Sequence, residues 1–187
     1  MESHRNQTDL SKYNNSFFNP GKNLFIRTLW YFVNAIFFIN PLNPSSGLKI
    51  VLLRLFGARI GKGVVIKPAV NIKYPWKLKI GDYSWIGEKV WIDNLDNVII
   101  GDNCCISQGA MLLTGNHDFA KSTFDLKTGP IILENGVWIS ARSILTMNTK
   151  CFSHSVLLAG SVLRTNMEAY SVYSGNPAIK VKNRKIE

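Results

Sequence analysis

The chain has 187 residues, 46% of them hydrophobic, with a formal net charge of +10 and a pI near 9.7. This length is sufficient for one domain with a substantial core, and the composition is ordinary for a globular chain. The positive charge predicts a negatively charged partner: nucleic acid, an anionic lipid surface or a phosphorylated small molecule. No familiar nucleic-acid-binding motif is present, so we expect no nucleic-acid partner.

The N-terminal part, 1–57, begins with a polar segment, 1–21, that is predicted to lie as an extended arm on the surface. Residues 23–39 are strongly apolar, but Arg27 leaves an uncharged run shorter than the roughly 20 residues of a membrane span. Two interpretations remain for this apolar helix. It packs on the rest of the protein or on a neighbouring subunit, which we favour, or it lies on a bilayer surface.

A second short helix is predicted from Leu48 to Phe56, preceded by a turn and ended by Gly57. It leads directly into the repetitive part of the chain, 58–170. Such a helix can cover the open end of a repeat structure, which would otherwise expose apolar core.

From Ile60 onward, a branched aliphatic residue or its equivalent returns every six residues. These anchors are Ile60, Ile66, Ile72, Ile80, Ile86, Ile92, Ile100, Ile106, Leu112, Leu133, Ile139, Leu145, Cys151, Leu157 and Leu163. A period of six fits neither an α-helix nor a plain alternating strand, and it is typical of a β-solenoid. Wider steps separate the first groups of three anchors. The spacing therefore predicts a triangular prism of about five coils with the anchors stacked inside.

An insertion, 114–130, interrupts the repeat between Leu112 and Leu133. A solenoid core needs no such excursion, and ordered loops on rigid scaffolds commonly carry function. The insertion contains His117, whose side chain can accept a proton near neutral pH. From its loop position alone, a general base and a structural histidine that bonds within a turn are equally favoured.

The chain contains three cysteines, Cys104, Cys105 and Cys151. An odd number, two adjacent positions and no preceding secretory signal indicate a reducing, cytoplasmic compartment. Cys104 and Cys151 fall at inward positions of the repeat, where a thiol behaves as a small hydrophobic group. No histidine accompanies a cysteine and no zinc-like spacing is present. We therefore expect neither a cysteine nucleophile nor a required metal.

The hexads, the segment Thr114–Asp118 and the ending Tyr173–Ala178 resemble the left-handed β-helix hexapeptide-repeat acyltransferases. The resemblance is strongest to the colanic-acid type of exopolysaccharide acetyltransferase. It extends over most of the chain, through Asp9–Asn15, Pro41–Pro44, Ile66–Pro68, Asn71–Trp76 and Trp91–Asn94. It implies a mainly-β fold: a left-handed parallel β-helix with N-terminal helical segments and a protruding loop. The left hand comes from the resemblance alone, because the general crossover rule predicts the opposite hand.

The resemblance also implies an activity: transfer of acetyl from acetyl-CoA to a hydroxyl of a sugar, or of a lipid-linked sugar intermediate, during surface-polysaccharide biosynthesis. The reaction is expected in a cleft between subunits of a homotrimer. A hydroxyl must lose its proton as it attacks the thioester, and His117 matches the family's general base. The tetrahedral intermediate needs N–H donors for its oxyanion, and Ala141 matches one of them. Trp138 matches the residue that lines the thiol end.

The remaining site residues are also implied by the resemblance. Those expected to contact coenzyme A are Ser140, Ala159, Gly160, Ser161, Arg164, Thr165, Lys180 and Lys182. The family often has Thr-Lys where this chain has Arg164-Thr165, so the cation is displaced by one place. For the two lysines, which lie in a segment delimited as a basic tail, 171–187, a purely solvent-exposed role is equally favoured. Those expected to hold the acceptor are Asp93, Asn94 and Asn116, with Tyr74, Trp76 and Trp91 as stacking partners.

Two other functions stay open. One is an N-acetyltransferase acting on an amino-sugar nucleotide. The other is a catalytically silent β-solenoid that scaffolds a membrane-associated glycosyltransferase complex. The apolar segment 23–39 and the positive charge leave peripheral contact with the inner face of the membrane as an alternative to a purely cytoplasmic location.

Overall fold

The structure of the chain is a computed structural model that describes residues 7–187, so residues 1–6 of the predicted arm lie outside the described range. Two α-helices precede the repeats, α1 at Leu24–Val33 and α2 at Ser46–Leu55. A wider π-helical turn, Asn34–Ile39, extends α1. Short 3-10 turns lie at Leu10–Lys12 and Pro75–Lys77.

The strands of the repeats form three sheets. Sheet A contains β1 Arg59–Ile60, β4 Leu78–Ile80, β7 Val98–Ile100, β12 Ile131–Leu133 and β15 Thr149–Cys151. Sheet B contains β2 Val65–Ile66, β5 Trp85–Ile86, β8 Cys105–Ile106, β13 Trp138–Ile139, β16 Val156–Leu157, β18 Ser171–Gly175 and β19 Ala178–Asn183. Sheet C contains β3 Asn71–Ile72, β6 Trp91–Asp93, β9 Met111–Leu113, β14 Ile144–Thr146 and β17 Val162–Leu163. A separate hairpin consists of β10 Gly115–His117 and β11 Leu126–Thr128.

Successive strands visit sheets A, B and C in turn, so each three strands form one coil of a triangular prism. Strands from consecutive coils pair in parallel, as in Ile60 opposite Ile80 and Ile66 opposite Ile86. Five coils are complete, and Met167, which bridges Cys151, begins a partial sixth together with β18. The predicted parallel β-helix is confirmed, with a little more than the expected five coils. We name its corners the AB, BC and CA edges, after the sheets that meet there.

The predicted anchors form the interior of the prism, and all fifteen are buried. Each flat side presents one anchor inward, so removal of aliphatic surface from water is repeated coil after coil. The small residues at the fifth hexad position fill the corners; Val70, Ala110 and Ser143 have no exposed surface.

The glycines that follow several anchors are required by the close approach of neighbouring coils. A Cβ at Gly81 would lie 2.6 Å from the carbonyl carbon of Gly101, nearer than a Cβ approaches in real structures. The next residue is held from the following coil, because the Asp102 side chain accepts the Asp82 N–H at 2.7 Å. Asn135 accepts the Asp102 N–H in the same way at 2.8 Å. This ladder of side-chain bonds runs along the AB edge.

Helix α1 packs on the prism, as the favoured interpretation predicted. Asn23 caps its first turn by accepting the Ile26 N–H at 3.0 Å. Trp30, only 2% exposed, donates its indole N–H to the carbonyl of Ile72 at 2.8 Å. Within residues 7–187, no helix is long and apolar enough to cross a membrane.

Helix α2 begins at Ser46 rather than at the predicted Leu48, because Ser45 caps it through the Leu48 N–H. It ends before Gly57, whose φ of +94° is the left-handed conformation expected at that position. Its Leu53 side chain is fully buried, and the helix contacts β1 and β2. It therefore covers the first coil.

The C-terminal segment is ordered rather than a simple tail. Strand β18 continues sheet B in parallel, and β19 turns back beside it in antiparallel. Tyr173 and Ala178 are buried in this hairpin, while Lys180 and Lys182 lie on its outer strand. The hairpin thus covers the last coil.

Substitution of Gly81 by alanine should destabilise the prism, because the added methyl group overlaps the backbone of the next coil. We expect a loss of roughly 1–3 kcal/mol, the usual cost of overpacking. Gly47→Ala is the matched control, since nothing lies within 4 Å of that Cβ in the first turn of α2. It should leave stability unchanged or raise it by roughly 0.5 kcal/mol. Thermal unfolding at one protein concentration compares the two, and equal melting temperatures would contradict this account of the glycines.

Candidate active site

The insertion forms a hairpin that leaves the prism at the CA edge, directly after β9. Thr114 anchors the start of the hairpin to the prism. Its buried hydroxyl and its N–H both donate to the carbonyl of Asp93, at 2.9 and 3.2 Å. The Thr114 carbonyl accepts the Gly129 N–H at 3.0 Å, which closes the hairpin. His117 lies opposite Leu126 in the hairpin register.

The imidazole of His117 is held by Phe124. Its Nδ1 lies 3.0 Å from the Phe124 carbonyl oxygen, and the two rings stack with centroids 4.5 Å apart. Because a carbonyl can only accept, Nδ1 is the donor of this bond, and in the neutral ring Nε2 then holds the lone pair. Phe124 adopts a φ of +52°, a conformation uncommon for a bulky residue. The backbone here is thus constrained in the conformation that presents its carbonyl to the histidine.

Charged pairs stiffen the outer part of the hairpin. Lys127 pairs with Asp118 at 3.0 Å, and Lys121 pairs with Asp125 at 3.1 Å. The hydrogen bond from Lys127 holds the pKa of the Asp118 carboxyl below its ordinary value. These groups are near the surface, so each pair contributes little stability alone. Lys127–Asp118 joins the two arms of the hairpin, and Lys121–Asp125 lies within its tip.

The N-terminal arm covers one side of the hairpin. The Asp9 N–H donates to the carbonyl of Ser122 at 2.8 Å, and the ring of Tyr13 lies 5.8 Å from that of His117. The arm is anchored further along, where the Trp76 indole donates to the carbonyl of Pro20 at 2.6 Å. Residues 7–21 of the arm thus lie on the surface of the prism, with a 3-10 turn at Leu10–Lys12 and a contact to the hairpin that was not expected.

His117 borders a cavity of about 430 Å³. The other residues that line it are Tyr13, Asn15, Phe18, Pro20, Arg27, Lys73, Tyr74, Leu95 and Leu126. Two cations, aromatic rings and the imidazole therefore share one space. Apart from His117 and Tyr74, none of these residues was predicted to belong to the site. Most are contributed by the arm and helix, and no sequence spacing reveals such contacts.

The predicted acceptor residues differ in their positions. Asp93 lies at the CA edge near the hairpin and pairs with Lys73 at 3.0 Å. Asn116 is exposed beside His117, and its side-chain oxygen accepts the His117 N–H at 2.8 Å. Asn94 is fully buried and bonds both the N–H and the carbonyl of Tyr74, at 2.9 and 2.6 Å. Its amide bonds within the prism and has no exposed surface, so we leave Asn94 out of the acceptor site.

Five of the residues predicted to contact coenzyme A or its thioester lie in the turns of the BC edge: Ser140, Ala141, Ala159, Gly160 and Ser161. Ser161 is buried there, and its hydroxyl accepts the Gly175 N–H at 3.1 Å. The Gly160 N–H donates to the carbonyl of Ala141 at 2.9 Å, so these turns stack directly. A Cβ at Gly160 would meet nothing within 4 Å, and the surface here is open. Within residues 7–187, no group accepts the Ala141 N–H. Trp138 lies beside this edge on the outside of sheet B and donates to the Ser107 hydroxyl at 2.9 Å.

Arg164 and Thr165 lie elsewhere, at the CA edge after β17, and both are exposed. Lys180, on β19, pairs with Glu168 at 2.7 Å. The predicted coenzyme A residues are therefore divided between two edges and the C-terminal hairpin. His117 lies at the CA edge and Ala141 at the BC edge, and sheet C separates these two edges. One protomer therefore does not bring the two residues together.

The cysteines are placed as expected from the repeat. Cys104 and Cys151 are buried, whereas Cys105 is exposed on sheet B. Burial raises the pKa of the Cys104 thiol to about 11 and also raises that of Cys151. Thiols in such surroundings are poor nucleophiles. In the described part of the chain, no group of three or more His, Cys, Asp or Glu side chains is placed to hold a metal ion.

The fold is thus a triangular parallel β-helix with a histidine-bearing hairpin on one edge. No protein-family model matches the chain. A curated relative from Escherichia coli K12, named as the colanic acid biosynthesis acetyltransferase WcaF, is 37% identical over 156 residues, which cover 83% of this chain and 86% of the relative. The galactoside O-acetyltransferase of the same organism is 26% identical over 129 residues, covering 67% and 64%.

Solved structures with low sequence identity share the fold. A hexapeptide-repeat acetyltransferase from Vibrio cholerae, complexed with acetyl-CoA, superposes with a TM-score of 0.78 at 19% identity, covering 87% of this chain and 88% of that one. An N-acyltransferase from Bacillus cereus, complexed with an amino-sugar nucleotide and coenzyme A, gives 0.62 at 22% identity, covering 73% and 89%. The chain belongs to the hexapeptide-repeat acetyltransferase family that includes WcaF. It is an acyltransferase.

Thiol labelling should distinguish the cysteines. Near neutral pH, an alkylating reagent should modify only Cys105 in the native protein, because the other two thiols are buried. All three should react after denaturation. Cys105→Ser should abolish the native reaction, as measured by intact-protein mass spectrometry. Rapid native labelling of Cys104 or Cys151 would contradict the packing described here.

Proposed function

We propose that the protein transfers an acetyl group from acetyl-CoA to a sugar hydroxyl in the synthesis of a surface polysaccharide, with His117 as the general base. The observation that carries the proposal is the 3.0 Å contact between His117 Nδ1 and the Phe124 carbonyl. It leaves Nε2 as the basic nitrogen of a ring that borders a cavity. The WcaF relationship supports the same activity.

The reaction proceeds without a covalent enzyme intermediate. His117 Nε2 takes the proton of the sugar hydroxyl while the hydroxyl oxygen attacks the thioester carbon. The carbonyl electron pair moves onto oxygen, and the Ala141 N–H donates to the oxyanion. Collapse of the intermediate re-forms the carbonyl and expels the thiolate of coenzyme A, which takes the proton back from the imidazolium. The buried thiols of Cys104 and Cys151 are poor nucleophiles, which fits direct transfer.

A complete site requires two copies of the chain. His117, Arg164 and Thr165 all belong to the CA edge, whereas Ser140, Ala141, Ala159 and Gly160 belong to the BC edge. If the CA edge of one copy faces the BC edge of the next, all of these residues line one cleft. Three copies arranged in this way close into a ring with three equivalent clefts. We therefore infer a homotrimer in which each site combines two subunits.

The cleft also suits the charge of coenzyme A. Arg164 at the CA edge and Lys182 on β19 are exposed cations, and Lys180 is partly neutralised by Glu168. Small side chains at Ala159 and Gly160 leave room for the pantetheine arm. The overall charge of +10 attracts a polyanionic donor.

The second candidate is N-acetylation of an amino-sugar nucleotide, for which the fold shared with the Bacillus cereus N-acyltransferase is the specific observation. We favour a hydroxyl because its high pKa makes a positioned base essential, and the His117 tautomer meets that need. The linkage in the product separates the two: an ester is cleaved by mild alkali and an amide is not.

Replacement of His117 by asparagine should lower the rate of acceptor-dependent coenzyme A release by at least about 100-fold, because the amide cannot take a proton. His154→Asn is the matched control: it lies at the AB edge with a φ of +58°, a conformation that asparagine tolerates. Its rate should equal that of the native protein. Equal rates for the two variants would remove His117 from the base role, and no transfer by the native protein to any sugar would favour the scaffold function.

Mixed oligomers should test whether the site is shared. Ala159→Trp should block the channel for coenzyme A, and His117→Asn should remove the base, so each variant alone should be inactive. Co-expression should restore part of the activity, since some interfaces then combine a native CA edge with a native BC edge. Coenzyme A release by purified hybrids measures this, with separately folded and mixed proteins as the control. Absence of recovery in verified hybrids would contradict a site built from two subunits.

A further inference from the structure

A second and larger space adjoins the His117 cavity and has no part in the mechanism above. It is a groove of about 670 Å³ between α1 and the outside of sheet C. Most of its walls are apolar, among them Leu24, Tyr31, Phe32 and Trp91, and Thr28 and the Asp93 carboxylate also line it. Grooves of this size and character accommodate ligands with a substantial apolar part.

Three residues line both spaces: Arg27, Lys73 and Tyr74. The His117 cavity and the groove therefore meet at these side chains. Arg27 is half-buried, and no carboxylate of residues 7–187 pairs with it. Lys73 lies beside it in both linings, with Asp93 as its ion-pair partner at 3.0 Å.

Along this surface the His117 imidazole comes first, then Arg27 beside the Lys73–Asp93 ion pair, and then the apolar groove. A half-buried arginine without a carboxylate partner is well suited to a phosphate, which its planar donors can bind in pairs. A ligand that matches the whole surface has a hydroxyl-bearing group at one end, phosphate in the middle and a hydrocarbon chain at the other end.

We propose that the acceptor is a sugar linked through diphosphate to an isoprenoid chain. The sugar lies at His117, the diphosphate at Arg27 and Lys73, and the first isoprene units lie in the groove beside Thr28 and Trp91. A nucleoside diphosphate sugar offers the same phosphates, but its polar ribose and base would face apolar walls. This substrate class rests on the proposed function, since it assumes that His117 marks the acceptor end.

Binding can be tested without knowing the sugar. Farnesyl diphosphate, kept below its micelle concentration, is titrated into the full-length protein by calorimetry, beside inorganic diphosphate, uridine diphosphate and farnesol. We expect farnesyl diphosphate to bind at least about tenfold more tightly than each of the other three. Only this probe carries both the anion for Arg27 and the chain for the groove.

Two neighbouring positions on α1 provide a matched pair. Thr28→Trp fills the groove and should weaken farnesyl diphosphate binding at least about tenfold. Leu29→Trp adds the same ring at an exposed position outside the groove and should leave binding unchanged. Arg27→Gln should weaken the two diphosphates and farnesyl diphosphate, but not farnesol. Circular dichroism and melting temperature confirm that each variant is folded.

Several results would overturn the proposal. Equal affinity for uridine diphosphate and farnesyl diphosphate would do so, as would equal effects of Thr28→Trp and Leu29→Trp. A change of oligomeric state in Thr28→Trp alone, measured by light scattering, would identify the groove as a subunit interface instead. His117→Asn separates this inference from the proposed function, because it should bind farnesyl diphosphate normally. Loss of farnesyl diphosphate binding with intact His117-dependent acetyl transfer refutes only the groove, and the reverse refutes only the proposed function.

Discussion

The structure depends on hydrogen bonding between successive coils of the prism. The Trp85 N–H donates to the carbonyl of Cys104 at 2.8 Å, and in the next coil the Cys105 N–H donates to the carbonyl of Val137 at 3.0 Å. Because each coil is bonded to the next, a shift of one residue would turn the aliphatic anchors outward. Equivalent hexad positions therefore form straight columns, and residues distant in sequence come together along an edge.

The candidate site follows from two of these columns and one interruption. The hairpin leaves the CA edge at Thr114, whose bonds to Asp93 join it to the rigid wall. The same regularity separates His117 from Ala141 by the width of sheet C. Because sheet C is regular and rigid, one chain cannot bring the two residues together. A neighbouring copy is therefore needed to complete the proposed site. The apolar groove beside α1 extends the acceptor side of that site.

The repeat could be predicted from the sequence because each anchor is a local choice repeated at one spacing. The partial sixth coil was missed because Met167 follows Leu163 after four residues and breaks that spacing. Asn94 matched an acceptor motif, but a corner residue can face either way, and its bonds to Tyr74 place it inside. The contacts of His117 with Phe124 and Tyr13, by contrast, depend on backbone conformation and on the path of the arm.

By itself the sequence determined the triangular coil, the buried anchors, the position of the inserted loop and the histidine within it. These properties arise from the periodic burial of aliphatic side chains and from the interruptions of that period. Both depend on the residue type at each position. Only the tertiary structure decided the tautomer of His117, the two edges on which the predicted coenzyme A residues lie, and the meeting of Arg27 and Lys73 between cavity and groove. Those depend on where the hairpin, the arm and α1 pack on the prism. Such long-range contacts produce no regular residue spacing from which they could be predicted.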